Sequence, residues 1–203
     1  GGENSFLVLE VGSGTAWNVT GCGTDPETRE GVFVASPEAG LSNIDGADQN
    51  VFLTQVLDGQ VLQIIKDSKV LQEPLVISSG HDQLEGIALL PGGEEVVVVA
   101  TGTGTVEKIN IATGTVTELA EGLGFFPGLG EATPFGYSND VAIYDGHAFV
   151  NADMDNVIYK IPLDKKTDGE DDAGDDDAAT GLHSIWQWTF TYLCISAFFD
   201  LLD

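Results

Sequence analysis

Three stretches of this chain align without a gap. They are VFLTQVLDGQVLQI (Val51 to Ile64), VVVVATGTGTVEKI (Val96 to Ile109) and AFVNADMDNVIYKI (Ala148 to Ile161). Each begins with an apolar run suited to a buried strand, turns on Gly, Asp or Asn, and continues as an alternating run that ends in Ile. That order of residues specifies a β-hairpin. A second element precedes each hairpin: EGVFVASP (Glu30 to Pro37), EGIALLPG (Glu85 to Gly92) and NDVAIYDG (Asn139 to Gly146). Its first residues lie 55 and 54 positions apart. A third element, KVLQEPLVIS (Lys69 to Ser78) or TVTELA (Thr115 to Ala120), follows the hairpin and is more polar.

A unit of four short strands, apolar first and polar last, cannot bury its faces alone and must stack on copies of itself. A sandwich does not repeat such a unit at a fixed period. The expectation is therefore an all-β chain, a β-propeller of four-stranded antiparallel blades. Phe6 to Thr20 reads as the last two strands of a first blade. The blade spans are 5–21 (partial), 30–79, 85–122 and 139–163 (partial), with 1–163 as the propeller. Ser36 to Asn50 reads as an extended loop inside the second blade. Closing a ring takes about 4–8 blades, so the reading is a partial ring of a six-bladed propeller. The alternative is a four-bladed ring completed by Phe6–Thr20, in which Val157–Ile161 would duplicate a strand already supplied.

Charge narrows the partners. Thirty-three acids stand against seven bases, for a net charge of −26. Such a surface repels nucleic-acid phosphates and anionic membranes and favours cations and solubility. Asp164 to Asp177 holds eight of the acids and two lysines. The segment 164–180 reads as an acidic disordered linker, and 181–203 as an apolar tail. Ile185 to Phe199 is 15 residues long, short of the roughly 20 that span a bilayer. A membrane partner is expected only if that tail is an anchor, the other readings being a packed or a non-native tail. Cys22 and Cys194 show no metal or disulfide spacing. Asn18-Val19-Thr20 is an N-glycosylation sequon. It points to an extracellular or secretory-pathway protein, with a cytoplasmic one as the alternative, while the opening Gly1-Gly2 without Met reads as a processed or truncated product. The expected state is a monomer.

In a propeller the head of each inner strand faces the central channel. By the 54-residue spacing, Glu30, Glu85 and Asn139 occupy equivalent heads. Carboxylate and amide oxygens converging from successive blades suit a hard divalent cation, Ca²⁺ first. The competing reading is that these side chains cap strand starts or bond a neighbouring blade.

The strand heads EGV, EGI and NDV, with hairpins such as HAFVNADMDNVIYKI, resemble the six-bladed regucalcin/gluconolactonase family and its strictosidine-synthase-like and NHL-repeat relatives. The resemblance covers about Phe6 to Leu163. It implies a Glu, an Asn and an Asp at inner-strand heads holding one divalent cation, the Asp serving catalysis. Glu30 or Glu85 would match the Glu, and Asn139 the Asn. No Asp heads an inner strand in Asp-Gly-apolar form, and Arg29, the only arginine, has no match to the family's substrate-contacting Arg.

Two functions follow. One is a divalent-cation-dependent hydrolase of a lactone or ester acting on a small-molecule substrate. The other is a non-catalytic NHL-type propeller binding a ligand or protein partner, with Ser36–Asn50 and Gly124–Gly136 as its contact loops. His81 and Asp82, close to Glu85, form a candidate general base or a turn cap. Asp153 and Asp155 are possible further cation ligands or turn residues, and His147 is expected at the surface. Gly102 and Gly104 lie in a hairpin and not before a helix, which argues against a phosphate loop. No Ser/His/Asp or Cys/His arrangement is readable from spacing.

Overall fold

The computed structural model describes residues 5–10, 14–20, 28–35, 40–47, 49–125 and 139–164. Among them lie fourteen strands and no helix. The first sheet is β1 (Ser5–Glu10), β2 (Thr15–Thr20) and β3 (Thr28–Val34). The second is β4 (Leu41–Ala47), β5 (Asn50–Gln55), β6 (Gln60–Lys66) and β7 (Lys69–Ser79). The third is β8 (Leu84–Leu89), β9 (Glu95–Ala100), β10 (Thr105–Asn110) and β11 (Val116–Ala120). The fourth is β12 (Val141–Tyr144), β13 (His147–Ala152) and β14 (Val157–Pro162). Every sheet is an antiparallel meander, and the chain is a β-propeller whose successive sheets are its blades.

The three aligned stretches form the hairpins β5–β6, β9–β10 and β13–β14. Their turns share one requirement. Gly59, Gly104 and Asn156, at the same place in the alignment, have φ of +56°, +71° and +53°. Only Gly, and among side-chain-bearing residues chiefly Asn or Asp, enters that region cheaply.

The blades stack through apolar side chains. Leu53, Leu62, Ile64 and Leu41 of the second blade meet Ala16 and Ala35 of the first. Phe52 and Val61 pack on Val96, Val98 and Ile109 of the third blade, whose other face sets Val97, Val99 and Val106 against Val141, Ala148 and Val150 of the fourth. The strand β9 is therefore apolar on both faces, with Val96 to Ala100 all fully buried. The last strand of a blade meets water: Val116, Thr117 and Glu118 of β11 are exposed. This is the inside-to-outside gradient that the sequence pattern requires.

One boundary differs from expectation. Of Glu30–Pro37, expected to open the second blade, residues 30–34 belong to β3, which pairs with β2 and closes the first blade. Phe6–Thr20 thus supplies the second and third strands of that blade rather than the third and fourth. A repeated contact confirms the assignment. The Ala35 N–H donates to Gly14 O at 2.8 Å, as His81 N–H does to Gly59 O and Leu123 N–H to Gly104 O, each just after a blade's last strand. The second blade's inner strand is β4, inside the stretch expected to be a loop. β4 and β12 both pack beside β8, and β1 packs against β4.

The tail readings for 165–203, the cysteines and residues 126–136 of the long loop lie outside the described residues. Among the described residues no helix is long and apolar enough to cross a membrane.

Candidate functional site

Pairing in the inner strands identifies the true ring of heads. Leu41 faces Gln55 and Ile44 faces Leu53; Leu84 faces Ala100 and Ile87 faces Val98. In both strands two residues, Ser42-Asn43 and Glu85-Gly86, bulge out of register between those pairs. A bulge re-aims side chains that a regular strand would bury or splay. Val141, opposite Val150, aligns with Ile87, so Asn139-Asp140 are the fourth-blade counterparts. The heads are therefore Ser42, Glu85 and Asn139, 43 and 54 residues apart.

Glu30 is not among them. It sits in β3 opposite Asn18 and is exposed, because β3 is an outer strand. Asn18 lies mid-strand in the same sheet.

Glu85 and Asn139 are brought together. Both are buried, Asn139 completely. Glu85 Oε2 accepts two hydrogen bonds, from the Asn139 backbone N–H at 2.9 Å and its side-chain Nδ2 at 3.0 Å. Asn139 Oδ1 accepts from the Asp153 N–H at 3.3 Å. On the other side the Thr54 hydroxyl donates to Glu85 O at 2.9 Å and accepts from the Asn43 N–H at 3.2 Å. Residues of the second, third and fourth blades are thus tied at one level. Burial raises the Glu85 pKa above its ordinary value against the pull of the Asn139 donors, and the nearby Asp153 carboxylate adds to the rise. The amide turns its NH₂, not its oxygen, toward Glu85. Two oxygens aimed at a shared cation would need the opposite orientation, so the pair as it stands is a hydrogen-bonded clasp.

One residue further along, Asn43, Gly86 and Asp140 meet. Asn43 Nδ2 donates to Asp140 Oδ1 at 2.7 Å, joining the second blade to the fourth past the third. Gly86 makes room: a Cβ there would lie 2.9 Å from Asp140 Cα and 3.0 Å from Asn139 O. Asp140 Oδ1 also accepts from the Val141 N–H, and its own N–H donates to Asn151 Oδ1 at 2.6 Å. Asp45 Oδ2 accepts from the Leu89 N–H of the third blade at 2.7 Å. Asn43, Asp45 and Asp140 line a cleft of about 320 Å³ between β4, β8 and β12. Asp140 keeps one side in solvent while its carboxyl is tucked among the strand heads. That desolvation, with the like charge of Asp45 adding to it, raises its pKa. Among the described residues no three His, Cys, Asp or Glu side chains converge as metal ligands.

The remaining candidates separate. Asp155 accepts from the Gly124 N–H at 3.0 Å and from the Tyr159 hydroxyl at 2.5 Å, holding the hairpin turn to the preceding loop. Asp153 caps its own turn through the Met154 N–H. Asp82 O accepts from the Gly102 N–H, a turn contact. His147 bonds Asp145 O at the exposed edge, beside Phe149. His81 does not face Glu85. Its Nε2 lies 2.8 Å from Ser78 Oγ and its Nδ1 2.5 Å from Glu107 Oε2. A Ser/His/acid arrangement thus exists that spacing did not reveal, because Glu107 is 26 residues along the chain and meets His81 only when the third sheet forms.

No protein-family model matches the chain, and no curated protein does. Solved structures do resemble it. A functionally unknown protein from Desulfotomaculum acetoxidans DSM 771 is 15% identical with a TM-score of 0.53, over 80% of this chain and 48% of that one. A protein of unknown function from Bacteroides thetaiotaomicron VPI-5482 is 17% identical with a TM-score of 0.49, over 78% and 41%. A chain of a nidogen/laminin complex is 12% identical with a TM-score of 0.45, over 77% and 74%. The chain spans under half the length of the first two. At these identities the likeness speaks to fold alone.

Proposed function

We propose that this propeller binds a small oxygen-rich ligand together with a divalent cation in the cleft between β4, β8 and β12. Asp45 and Asp140 supply the charge, and Asn43 the hydrogen bonds. The observation that carries this reading is the convergence of Asn43 and Asp45 of the second blade and Asp140 of the fourth on one cleft, lined between them by Ile87, Ala88 and Leu89 of the third, with the two carboxylates near enough for one to raise the pKa of the other. A hard cation relieves that repulsion with the oxygen ligands it prefers. The Glu85–Asn139 clasp holds Asp140 in place from the neighbouring position. Hydrolysis of a lactone or ester, the activity implied by the resemblance, belongs to the same cleft in this reading. Asp45 stands in an Asp-Gly-Ala strand whose sequence alone reads as loop.

Isothermal titration with Ca²⁺, Mg²⁺ and Mn²⁺ tests it. The expected result is saturable binding by the wild type, lost in Asp45→Asn and Asp140→Asn and unchanged in Glu30→Gln. A lactone and ester panel with and without chelator then assigns the activity. Absence of binding for every cation would refute the cleft reading and leave the protein-binding scaffold.

A further inference from the structure

The Ser78, His81 and Glu107 side chains form a chain of hydrogen bonds that neither the fold nor the cleft requires. Ser78 is the penultimate residue of β7, and His81 lies three residues later in the connection to β8. Glu107 comes from β10 of the next blade. The Glu107 carboxylate takes the imidazole Nδ1 at 2.5 Å and is itself held by the Thr105 hydroxyl, which reaches Oε1 at 3.3 Å. A carboxylate on Nδ1 fixes the tautomer with its proton on that nitrogen. Nε2 is then left as the acceptor, and it lies 2.8 Å from Ser78 Oγ. A nucleophile, a base within hydrogen-bond reach and an orienting third group together make the arrangement that activates a serine hydroxyl.

Access fits a small reagent. The His81 side chain is 5% exposed and that of Glu107 17%, which keeps competing water low, while Ser79 and Gly80 directly after the serine are exposed. Ser78 itself is buried, 9% exposed, so a reagent would reach it over the Ser79–Gly80 turn, where no heavy atom lies within 4 Å of a Cβ placed on Gly80. The net charge of −26 disfavours anionic substrates.

We propose that Ser78 is an activated nucleophile that transfers the acyl group of a small neutral ester, with His81 as general base and Glu107 as the positioning residue. In the first half, Ser78 Oγ bonds to the ester carbonyl carbon and its proton passes to His81 Nε2. The bond from that carbon to the alkoxy oxygen breaks, and the departing alcohol takes the proton back. In the second half, water loses a proton to His81 Nε2 and attacks the acyl carbon. The acyl–Ser78 bond breaks, the proton returns to Oγ, and the carboxylic acid leaves. This site uses no metal and stands apart from the cleft.

The test is covalent labelling of the full chain with a small fluorophosphonate, followed by peptide mapping and p-nitrophenyl acetate turnover. The expected adduct is on Ser78, is absent after heat denaturation and in Ser78→Ala, and is unaffected by chelator. That last property separates its failure from failure of the cleft reading. His81→Gln and Glu107→Gln, with melting curves showing them folded, should each slow labelling by about 10²-fold or more. Glu107→Gln should also lose the downfield imidazole N–H proton resonance that a short bond to a carboxylate produces. Wild-type protein that is not labelled at Ser78 above its denatured form, or folded variants labelled at the wild-type rate, would overturn the proposal.

Discussion

Asn139 is the residue whose removal should report most directly on the tie between blades. It is completely buried, and truncation to Ala deletes two contacts at once. The first is the Nδ2 donor to Glu85 Oε2 at 3.0 Å, a hydrogen bond to a group that carries charge when ionised, worth about 1.5–3 kcal/mol. The second is the Oδ1 acceptor for the Asp153 N–H at 3.3 Å, a longer neutral bond worth about 0.5–1 kcal/mol. The backbone N–H of residue 139 still donates to Glu85, so the carboxyl is not wholly orphaned. The expected loss is about 3 kcal/mol, or a fall of about 6–12 °C in Tm for a chain of this size. Urea denaturation at pH 7, followed by far-ultraviolet circular dichroism, measures it. Glu85→Gln is the informative control. It keeps an oxygen for both Asn139 donors and removes a charge that burial disfavours. It should therefore cost little at pH 7 and leave stability level with pH where the wild type slopes. The Glu85 pKa lies above its ordinary 4.5 when folded. Its contribution is fully present below the unfolded value and is lost as pH rises through the folded one. If Asn139→Ala cost under 1 kcal/mol, or Glu85→Gln cost more than it, the clasp would not be the device described.

Other consequences are equally checkable. Gly86→Ala places a Cβ against the backbone of Asn139 and Asp140; overpacking of that kind costs about 1–3 kcal/mol and should weaken cation binding measured by titration. Gly59→Ala meets the His81 carbonyl at a residue whose φ is +56°, so it should lower Tm and slow labelling of Ser78. Glu107 is held below its ordinary 4.5, first by its bond from His81. Its contribution is present above the unfolded value and lost as pH falls through the folded one, and Glu107→Gln should remove that part of the acid sensitivity seen in denaturation midpoints between about pH 5 and 3.

The parts legible from sequence were those set by local chemistry. Gly59, Gly104 and Asn156 announce their hairpins because few residues accept a left-handed turn. The run Val96 to Ala100 announces a strand buried on both faces. What escaped was register. The strand β4 reads LSNIDGA, and the bulge between Leu41 and Ile44 breaks the alternation by which a strand is recognised, so an inner strand passed for a loop. Glu30–Pro37 then looked like its replacement, since an outer strand with Val32, Phe33 and Val34 is as apolar as an inner one. Only pairing with β2 tells them apart, and pairing is not a local property. That error carried Glu30 into the candidate ring and left out Ser42, Asn43 and Asp45. Glu85 and Asn139 meet because each stands at the head of an inner strand of adjacent blades.

The two carboxylates of the third blade show why a buried acid has to be read with its partner. Glu85 and Glu107 both lose solvent when the blade packs. Glu85 meets neutral donors and a second acid, Asp153, so desolvation prevails and the proton is favoured. Glu107 meets an imidazole and a hydroxyl, so the charged form prevails. A carboxyl inclined to hold its proton is a poor orienting anion but a sound structural tie. One held ionised against Nδ1 is the form that leaves Nε2 free to accept from a serine. The two acids of one sheet thus shift in opposite directions because their partners differ. The tie between blades sits at the head of β8, and the carboxylate that would position His81 in the proposed serine site sits in β10, at Glu107, which is not one of the inner-strand heads.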